Sequence, residues 1–335
     1  MFCRFYDALG RWDPRPVLLS ALLFFILDAG KSNPLLAACP TTEANSITGP
    51  TLPGKDKVPE PLVAPMVGRV LPGSLGQVPV KPVVQPVVVD AMTPSKVYEG
   101  QPFSAGERVS YLASYFSGVK VGIFTFNVLA PELKNGFWHM IFAVEAKSGD
   151  WYKSIVEANY KAKAWTLPKT FVASGFTLYE DLNPLIGSSY FQEKWLEFDH
   201  ENCKALERIQ HKKDPLKEES FDLDPEATDI LGAIYKLRTF PYTLNKEERF
   251  KVYTSGKTWW LSATPEAFVR LDVPLGTFDA VRLNLQTYIG KDLEQKGDVR
   301  VWVAFNHPQR PILKFKFDVK IGHFVLALQE FVSGK

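Results

Sequence analysis

The side chains that could do chemistry are few, and most stand apart from one another. His200 lies between Asp199 and Glu201, a combination that could bind a metal ion or act as a general base. On a strand, however, neighbouring side chains point to opposite faces of the sheet, which would separate His200 from both carboxylates. The chain has five histidines, and none has the paired spacing of a zinc site. We therefore favour a solvated His200 over a metal ligand.

One acidic cluster has the composition of a calcium site. Asp222, Asp224, Glu226 and Asp229 lie close together, but they lack the glycine and the terminal glutamate of an EF-hand loop. A helix explains them better, because Asp224-Pro225 has the pattern of an N-cap followed by a first-turn proline. The apolar residues that follow at helical spacing are Ile230, Leu231, Ile234 and Leu237. We predict a short helix there, and neither a metal nor another cofactor.

No complete catalytic motif is present. Ser117 and Lys120 have the Ser-x-x-Lys spacing of some acyl-transfer enzymes, but those enzymes place the motif at the start of a helix. Here the two residues straddle a glycine turn between strand-like runs, which indicates a hairpin. The sequence predicts no catalytic residue and leaves open whether the protein is an enzyme.

The composition excludes several classes of protein. The chain has 335 residues, 46% hydrophobic and 23% charged, which is ordinary for a globular protein and excludes a wholly disordered one. Its 39 basic residues against 37 acidic ones create no overall field that would attract nucleic acid. With three cysteines, no disulfide framework is expected, and we interpret Cys203 as a lone apolar thiol.

Residues 1–39 have the features of an export signal. Basic residues precede VLLSALLFFIL (17–27), and eleven residues span only about 16 Å as a helix, roughly half of a bilayer core. This length favours a cleaved signal peptide over a transmembrane helix. LAAC (36–39) is similar to the lipobox of bacterial lipoproteins, in which the thiol, here Cys39, is acylated. Residues 28–34 separate it from the apolar run, unlike in most lipoproteins, so cleavage after Ala29 is the alternative.

A proline-rich segment follows. Twelve of the 25 prolines lie in 40–102, where Tyr98 is the only aromatic residue. Proline lacks a backbone donor and does not fit the interior of a helix or a sheet. We therefore predict that 40–103 is a disordered linker and that 104–335 forms the folded domain.

The domain has strand periodicity almost throughout. Apolar and polar residues alternate over 313–321, which predicts a strand with one buried and one solvated face. On its polar side, Lys314, Lys316 and Lys320 form a cationic face that could contact lipid headgroups or anionic envelope polymer. Further predicted strands are 109–115, 119–123, 138–147, 160–166, 170–180, 193–199, 203–210, 249–254, 257–263, 267–273, 281–286, 299–304 and 323–331, with a second short helix in 150–158. We predict a mainly β fold: a twisted antiparallel sheet rolled into a barrel-like or half-barrel domain.

Four ordered segments resemble a known bacterial family, the domain of unknown function 3108. They are GERVSYLASYFSGVKVGIFTFNV (106–128), DPEATDILGAIYKLRTFP (224–241), VPLGTFDAVRLNL (273–285) and VRVWVAFNHPQRPILKFKFDVKIGHFVLAL (299–328). The similarity covers about 104–331. It implies an exported, β-rich protein of no established activity and transfers no catalytic residue.

These observations favour an exported protein, either periplasmic or anchored to a bacterial membrane through its N-terminus. The leading hypothesis is a non-catalytic binding or assembly module for an apolar ligand, a lipid, an envelope polymer or an envelope protein complex. The alternatives are a hydrolase of envelope polymer and a purely structural component of an envelope complex.

Overall fold

The computed structural model describes residues 92–116, 118–212, 214–290, 292–293, 298–318 and 323–335. A 3-10 turn at Pro94–Lys96 comes first, and the two α-helices are α1 (Asp150–Lys153) and α2 (Ile230–Leu237). The strands are β1 (Arg108–Tyr115), β2 (Val119–Lys134), β3 (Phe137–Ser148), β4 (Val156–Thr166), β5 (Ala173–Pro184), β6 (Tyr190–Asp199), β7 (Lys204–Gln210), β8 (Lys217–Asp222), β9 (Glu248–Thr254), β10 (Lys257–Val273), β11 (Gly276–Ile289), β12 (Asp292–Leu293), β13 (Val299–Ala304), β14 (Ile312–Asp318) and β15 (His323–Val332).

All fifteen strands belong to one antiparallel sheet. The strand order is β8-β7-β6-β5-β4-β3-β2-β1-β15-β14-β13-β11-β10-β9, and β12 pairs with β11. β1 pairs with β15, Arg108 opposite Val332, so the first and last strands meet in the middle of the sheet. In the part of the chain that the structure describes, β8 and β9 are not paired with each other, and the sheet is not closed. The prediction of a mainly β, antiparallel domain with few helices is confirmed.

Side-chain alternation sets the two faces of the sheet. In β4, every second residue from Val156 to Thr166 is buried, and the residues between them are more exposed. In β14, Phe315 and Phe317 are buried, while Lys316 between them lies on the other face. This period of two is the pattern expected of a sheet with one face on a core.

Helix α2 packs against the inner face of the rolled sheet. Seven of its eight residues are buried, all but Lys236. The Tyr235 ring stacks on Phe142 of β3, with 4.0 Å between ring centroids. Because the helix is apolar on nearly every side, it is stable only inside this enclosure.

The cap of α2 differs from the sequence prediction. Asp229 is the N-cap, and its Oδ1 accepts a hydrogen bond from the Gly232 amide at 2.9 Å. Asp224 instead begins a turn in which its side chain accepts from the Glu226 amide at 3.1 Å. The Asp-Pro pattern therefore marks a turn that precedes the helix, and the prediction of Asp224 as the cap was wrong.

This turn leads into a segment that covers the free edge of β9. The Thr228 amide donates to the Lys251 carbonyl at 3.0 Å, and the Tyr253 amide donates to the Thr228 carbonyl at 2.8 Å. The Ala173 amide donates to the Ala227 carbonyl at 3.1 Å, which ties the same segment to the start of β5. The segment thus satisfies backbone groups that an open edge would leave to solvent.

The folded part begins before the predicted boundary at residue 104. Val97, Tyr98 and Phe103 are buried in the core. The Tyr98 hydroxyl accepts from the Ile141 amide and donates to the Leu129 carbonyl, both at 2.8 Å. It thereby bridges β2 and β3 where a bulge interrupts their pairing. The aromatic residue that composition placed in the linker is part of the domain.

Most predicted strands are present, with two informative differences. The predicted strands 257–263 and 267–273 are one strand, β10, because a bulge next to Pro265 lets it continue past a residue without an amide donor. β8 was not predicted, since four of its six residues are charged. The second helix is shorter than expected and ends at Lys153.

Candidate functional site

The interior of the roll is occupied by protein side chains. Beside α2, between Ile234 and Leu237 on the helix and strands β9 to β14, there remains an apolar cavity of about 20 Å³. A single water molecule needs roughly 10–15 Å³ on this measure. The cavity is large enough for about one water molecule, and an acyl chain does not fit.

A buried ion pair fixes the end of α2. Arg238 follows the helix and binds both carboxylate oxygens of Glu107, at 2.6 and 2.8 Å. The side chains of Arg238 and Glu107 are 3% and 0% exposed, and Arg238 also donates to the carbonyls of Pro102, Gln309 and Arg310. Every face of the guanidinium is in use, so this pair is structural and is not available to a ligand.

A second group of ionisable side chains lies on the inner face of β5, β6 and β7. Lys194 and Glu207 form an ion pair at 2.8 Å, with side chains 13% and 9% exposed. Burial raises the pKa of Glu180 to about 7, although the Lys194 ammonium acts in the opposite direction. Glu207 also raises the pKa of Tyr253 on β9, in addition to the larger effect of burial. The sequence reasoning missed this cluster, although Glu180 falls at an inward position between Leu178 and Leu182.

The outer face of β3 to β6 carries a groove of about 260 Å³. Its polar and aromatic lining residues are Glu145, Lys161, Lys163, Thr177, Tyr179, Glu193 and Trp195. Next to it, Glu132 accepts from the Lys163 ammonium at 2.6 Å and from the Trp165 indole at 2.7 Å. Trp195 is 37% exposed, so the groove offers an accessible aromatic face between groups of both charges. Such a surface suits a polar ligand that has both acidic and hydroxyl or amine groups.

The residues considered for hydrolysis do not form a site. Asp199 ends β6, and both of its oxygens accept from Asn202. The His200 Nε2 atom is 2.5 Å from the Ala173 carbonyl, and its ring stacks on Phe198. Glu201 is exposed in the turn. These contacts stabilise a hairpin turn and leave no shared position for a substrate.

The acidic cluster is likewise used within the protein. Lys251 binds Asp224 at 2.7 Å and Glu226 at 3.3 Å, and Asp229 caps α2. Burial raises the pKa of Asp229 to about 6. Within the described residues, no group of three or more histidine, cysteine or acidic side chains could hold a metal ion.

The predicted cationic face is only partly described. The Lys314 ammonium lies over the Trp302 ring, 5.2 Å from its centroid. The pKa of Lys314 is lowered, mainly by burial and also by the positive charge of the neighbouring Lys316. Lys316 pairs with Asp318 at 3.0 Å. Lys320 lies outside the described residues, and its contribution stays a prediction.

The cysteine predictions have different outcomes. Cys203 is disulfide-bonded, so the interpretation as a lone thiol was wrong. Cys39, the predicted lipidation site, lies outside the described residues, as do the signal peptide and the linker up to residue 91.

Comparison with known proteins agrees with the resemblance of the four segments. The model of a family described as a protein of unknown function, DUF3108, matches residues 110–329. The chain belongs to the DUF3108 family. Two of the DUF3108-like segments, 106–128 and 224–241, meet in the structure as the Glu107–Arg238 ion pair. No curated protein matches the chain significantly.

Three solved structures are similar to part of this DUF3108 chain, each with a TM-score below 0.5. A β-barrel-like protein of the DUF1849 family from Brucella abortus is 6% identical, with a TM-score of 0.44 over 68% of this chain and 98% of that one. A protein assigned as exported, with a YmcC-like fold, from Bacteroides fragilis is 8% identical, with a TM-score of 0.30 over 70% and 98%. A protein assigned as a lipoprotein from Parabacteroides distasonis is 11% identical, with a TM-score of 0.26 over 69% and 97%. None of these likenesses identifies a ligand or an activity for this DUF3108 protein.

None of the described helices has the length and apolar character needed to cross a membrane.

Proposed function

We propose that this protein is a non-catalytic binding or assembly module of a bacterial envelope. It contacts its partner through outer surfaces and does not enclose an apolar ligand. The observation that carries the proposal is the packing of α2 and its aromatic neighbours inside the roll, where the apolar cavity beside the helix measures about 20 Å³. Pockets for small-molecule ligands are usually about 300 Å³ or larger.

The outer groove on β3 to β6 supports a polar partner. Lys161 and Glu193 face each other across Tyr179, in neighbouring strands of matched register. Together with Trp195, they offer one aromatic surface and groups of both charges over three strands. Fragments of envelope polymer have this mixed chemistry, and we propose them as ligands of the groove.

The location follows from the N-terminal sequence. The basic start, the apolar run 17–27 and LAAC (36–39) support export, with retention in the periplasm or anchoring through Cys39. Anchoring through Cys39 would require that its thiol is not the one bonded to Cys203. The hydrolase alternative gains no support from Asp199, His200 and Glu201, because their contacts stabilise a turn.

Native mass spectrometry of the chain purified from an envelope fraction tests the filled interior. We expect a mass without an added apolar ligand and no lipid in an organic extract. A stoichiometric lipid that survives purification and is released by extraction would contradict the proposal, because it would need space that the interior lacks.

Trp195 provides the test of the groove. Titration with soluble envelope-polymer fragments should change tryptophan fluorescence in the wild type, and the change should be lost in Trp195→Phe. Trp260→Phe, which changes a partly exposed tryptophan on the distant strand β10, is the control and should keep the response. A response that survives in Trp195→Phe would place the ligand elsewhere.

A further inference from the structure

Three successive hairpins expose large apolar side chains at the same end of the sheet. Phe116 and Val119 lie at the β1–β2 turn, Trp151 and Ile155 lie between β3 and β4, and Leu185 and Ile186 follow β5. Their exposed fractions are 52%, 42%, 51%, 37%, 72% and 72%. We call these six residues the apolar rim.

The three hairpins that carry the rim are hydrogen-bonded to one another. The Gly149 amide donates to the Val121 carbonyl at 3.0 Å, which joins the second hairpin to the first. The Leu185 amide donates to the Ile155 carbonyl at 2.8 Å, which joins the third to the second. Single exposed apolar residues are ordinary, but six of them on three adjoining hairpins favour an interaction surface.

The turns at the opposite end of the same strands differ. The β4–β5 turn carries the exposed Lys169, and the β6–β7 turn carries the exposed Glu201. Leu133 and Phe137 of the β2–β3 hairpin are exposed at that end. The next two turns along the sheet, β4–β5 and β6–β7, carry no large exposed apolar side chain. The N-terminal segment also approaches at that opposite end, where Tyr98 bonds to Leu129.

We propose that the apolar rim inserts into the interfacial region of a lipid bilayer. The six side chains lie on three separate hairpins at one end of the sheet, an arrangement that suits a fluid surface able to adapt to them. Tryptophan is enriched at membrane–water interfaces, where its amphipathic ring sits at headgroup level. Exposed Lys120 flanks the rim and would lie among anionic headgroups, whereas Lys153 is paired with Glu157 at 2.8 Å.

The length of chain before Met92 allows this contact even when the N-terminus is held at the same membrane. If residues 40–91 form the disordered linker that the sequence predicts, their root-mean-square span would be about 40 Å. β4, with eleven residues, is about 36 Å long. The tether is therefore long enough for the end of the domain remote from Met92 to face the bilayer.

Binding of the full chain to vesicles tests the inference, which rests on the proposed use of outer surfaces. The probe is vesicles of phosphatidylethanolamine and phosphatidylglycerol in a 3:1 ratio. We expect Leu185→Ser/Ile186→Ser to lower the vesicle partition coefficient at least tenfold and Leu185→Phe to keep it. Leu133→Ser/Phe137→Ser, a matched apolar pair at the other end, should change it less than twofold.

Hydrogen exchange of the wild type gives a second readout that an acyl anchor on Cys39 does not affect. Vesicles should slow exchange in peptides covering 116–120, 149–156 and 184–189, and leave 133–138 unchanged. Equal protection at both ends, or none at the rim, would overturn the inference. The inference would also be overturned if vesicles gave no protection from exchange and Leu185→Ser/Ile186→Ser abolished crosslinks between this chain and an envelope protein. If the chain does not bind vesicles and its native mass shows no lipid, the membrane inference is wrong, while the proposed binding through outer surfaces is unaffected.

Discussion

Glu180 places an ionisable carboxyl where the sheet offers it little solvation. Its side chain is 9% exposed on the inner face of β5, and burial raises its pKa from 4.5 to about 7. Between these values the folded protein binds a proton that the unfolded chain does not. This group therefore makes the free energy of unfolding fall as the pH rises from about 4.5 to about 7.

Replacing Glu180 with glutamine should remove this dependence. We expect Glu180→Gln to raise the free energy of unfolding at pH 8 by about 3 kcal/mol at most, since each unit of pKa is worth about 1.4 kcal/mol. At pH 5 the variant and the wild type should be nearly equal. Urea denaturation between pH 5 and 8 measures both, with the exposed Glu157→Gln on β4 as the control. A constant difference between variant and wild type across this range would refute the titration of Glu180.

Single residues also show what the sequence could not reveal. Glu107 and Arg238 form the most buried ion pair described, yet they are 131 residues apart and no local pattern links them. Glu180 offered more, because a charged residue at an inward strand position signals either a partner or a shifted pKa. The outer groove could not be predicted from the sequence. Its lining residues have the pattern of any solvated strand face, and only the register of the strands brings them together.

At the scale of elements, α2 depends on a close approach that excludes a side chain at Gly232. A Cβ atom there would collide with the Thr228 hydroxyl and press on Asp229. Alanine normally favours a helix over glycine by about 1 kcal/mol. Here the collision opposes that preference, because Thr228 is buried and lies in the segment that covers β9.

We expect Gly232→Ala to lower the free energy of unfolding by about 1–3 kcal/mol, in the range of overpacked cores. The double variant Thr228→Ala/Gly232→Ala should recover most of the loss, because it removes the colliding hydroxyl. Thermal and urea unfolding of the two variants and of Thr228→Ala alone give the comparison. A stabilising Gly232→Ala would show that propensity outweighs packing in α2.

The elements themselves were largely predictable, for a physical reason. An antiparallel strand with one buried face shows its period of two within a single segment, as in 313–321. The cap of α2 was not predictable in this way, because Asp224-Pro225 and Asp229 both have cap-like chemistry and only the contact with β9 separates them. Pro265 led to the prediction of two strands in place of β10 for the same reason. The bulge that accommodates the proline is defined by the pairing with β11, which the sequence does not show.

At the scale of the whole molecule, β15 connects the two halves of the sheet. It pairs with β1 on one side and β14 on the other. Leu326 and Leu328 of β15 are fully buried. The sequence predicted a strand there but not its place in the sheet, because strand order depends on contacts between distant segments.

A chain that ends at Asp318 lacks β15 and should therefore unfold without cooperativity. The loss of a strand at the edge of the sheet should have a smaller effect. Circular dichroism during heating should show a broad, low-amplitude change. A chain that ends at Ser333 is the control, since it loses the Lys335–Ala105 backbone bond and keeps β15 whole. A sharp transition in the shorter chain would mean that β1 to β8 fold without the other half.

The pairing of β1 with β15 also sets the order of events when such a chain crosses a membrane N-terminus first. β1 emerges early with one edge paired to β2, and its other edge must wait until the last strand has been translocated. During that interval an unpaired strand of Val109, Tyr111 and Ala113 is open to association with other nascent chains. In an exported chain, completion of the sheet would thus follow translocation, and its yield should depend on a holdase that shields that edge until β15 arrives.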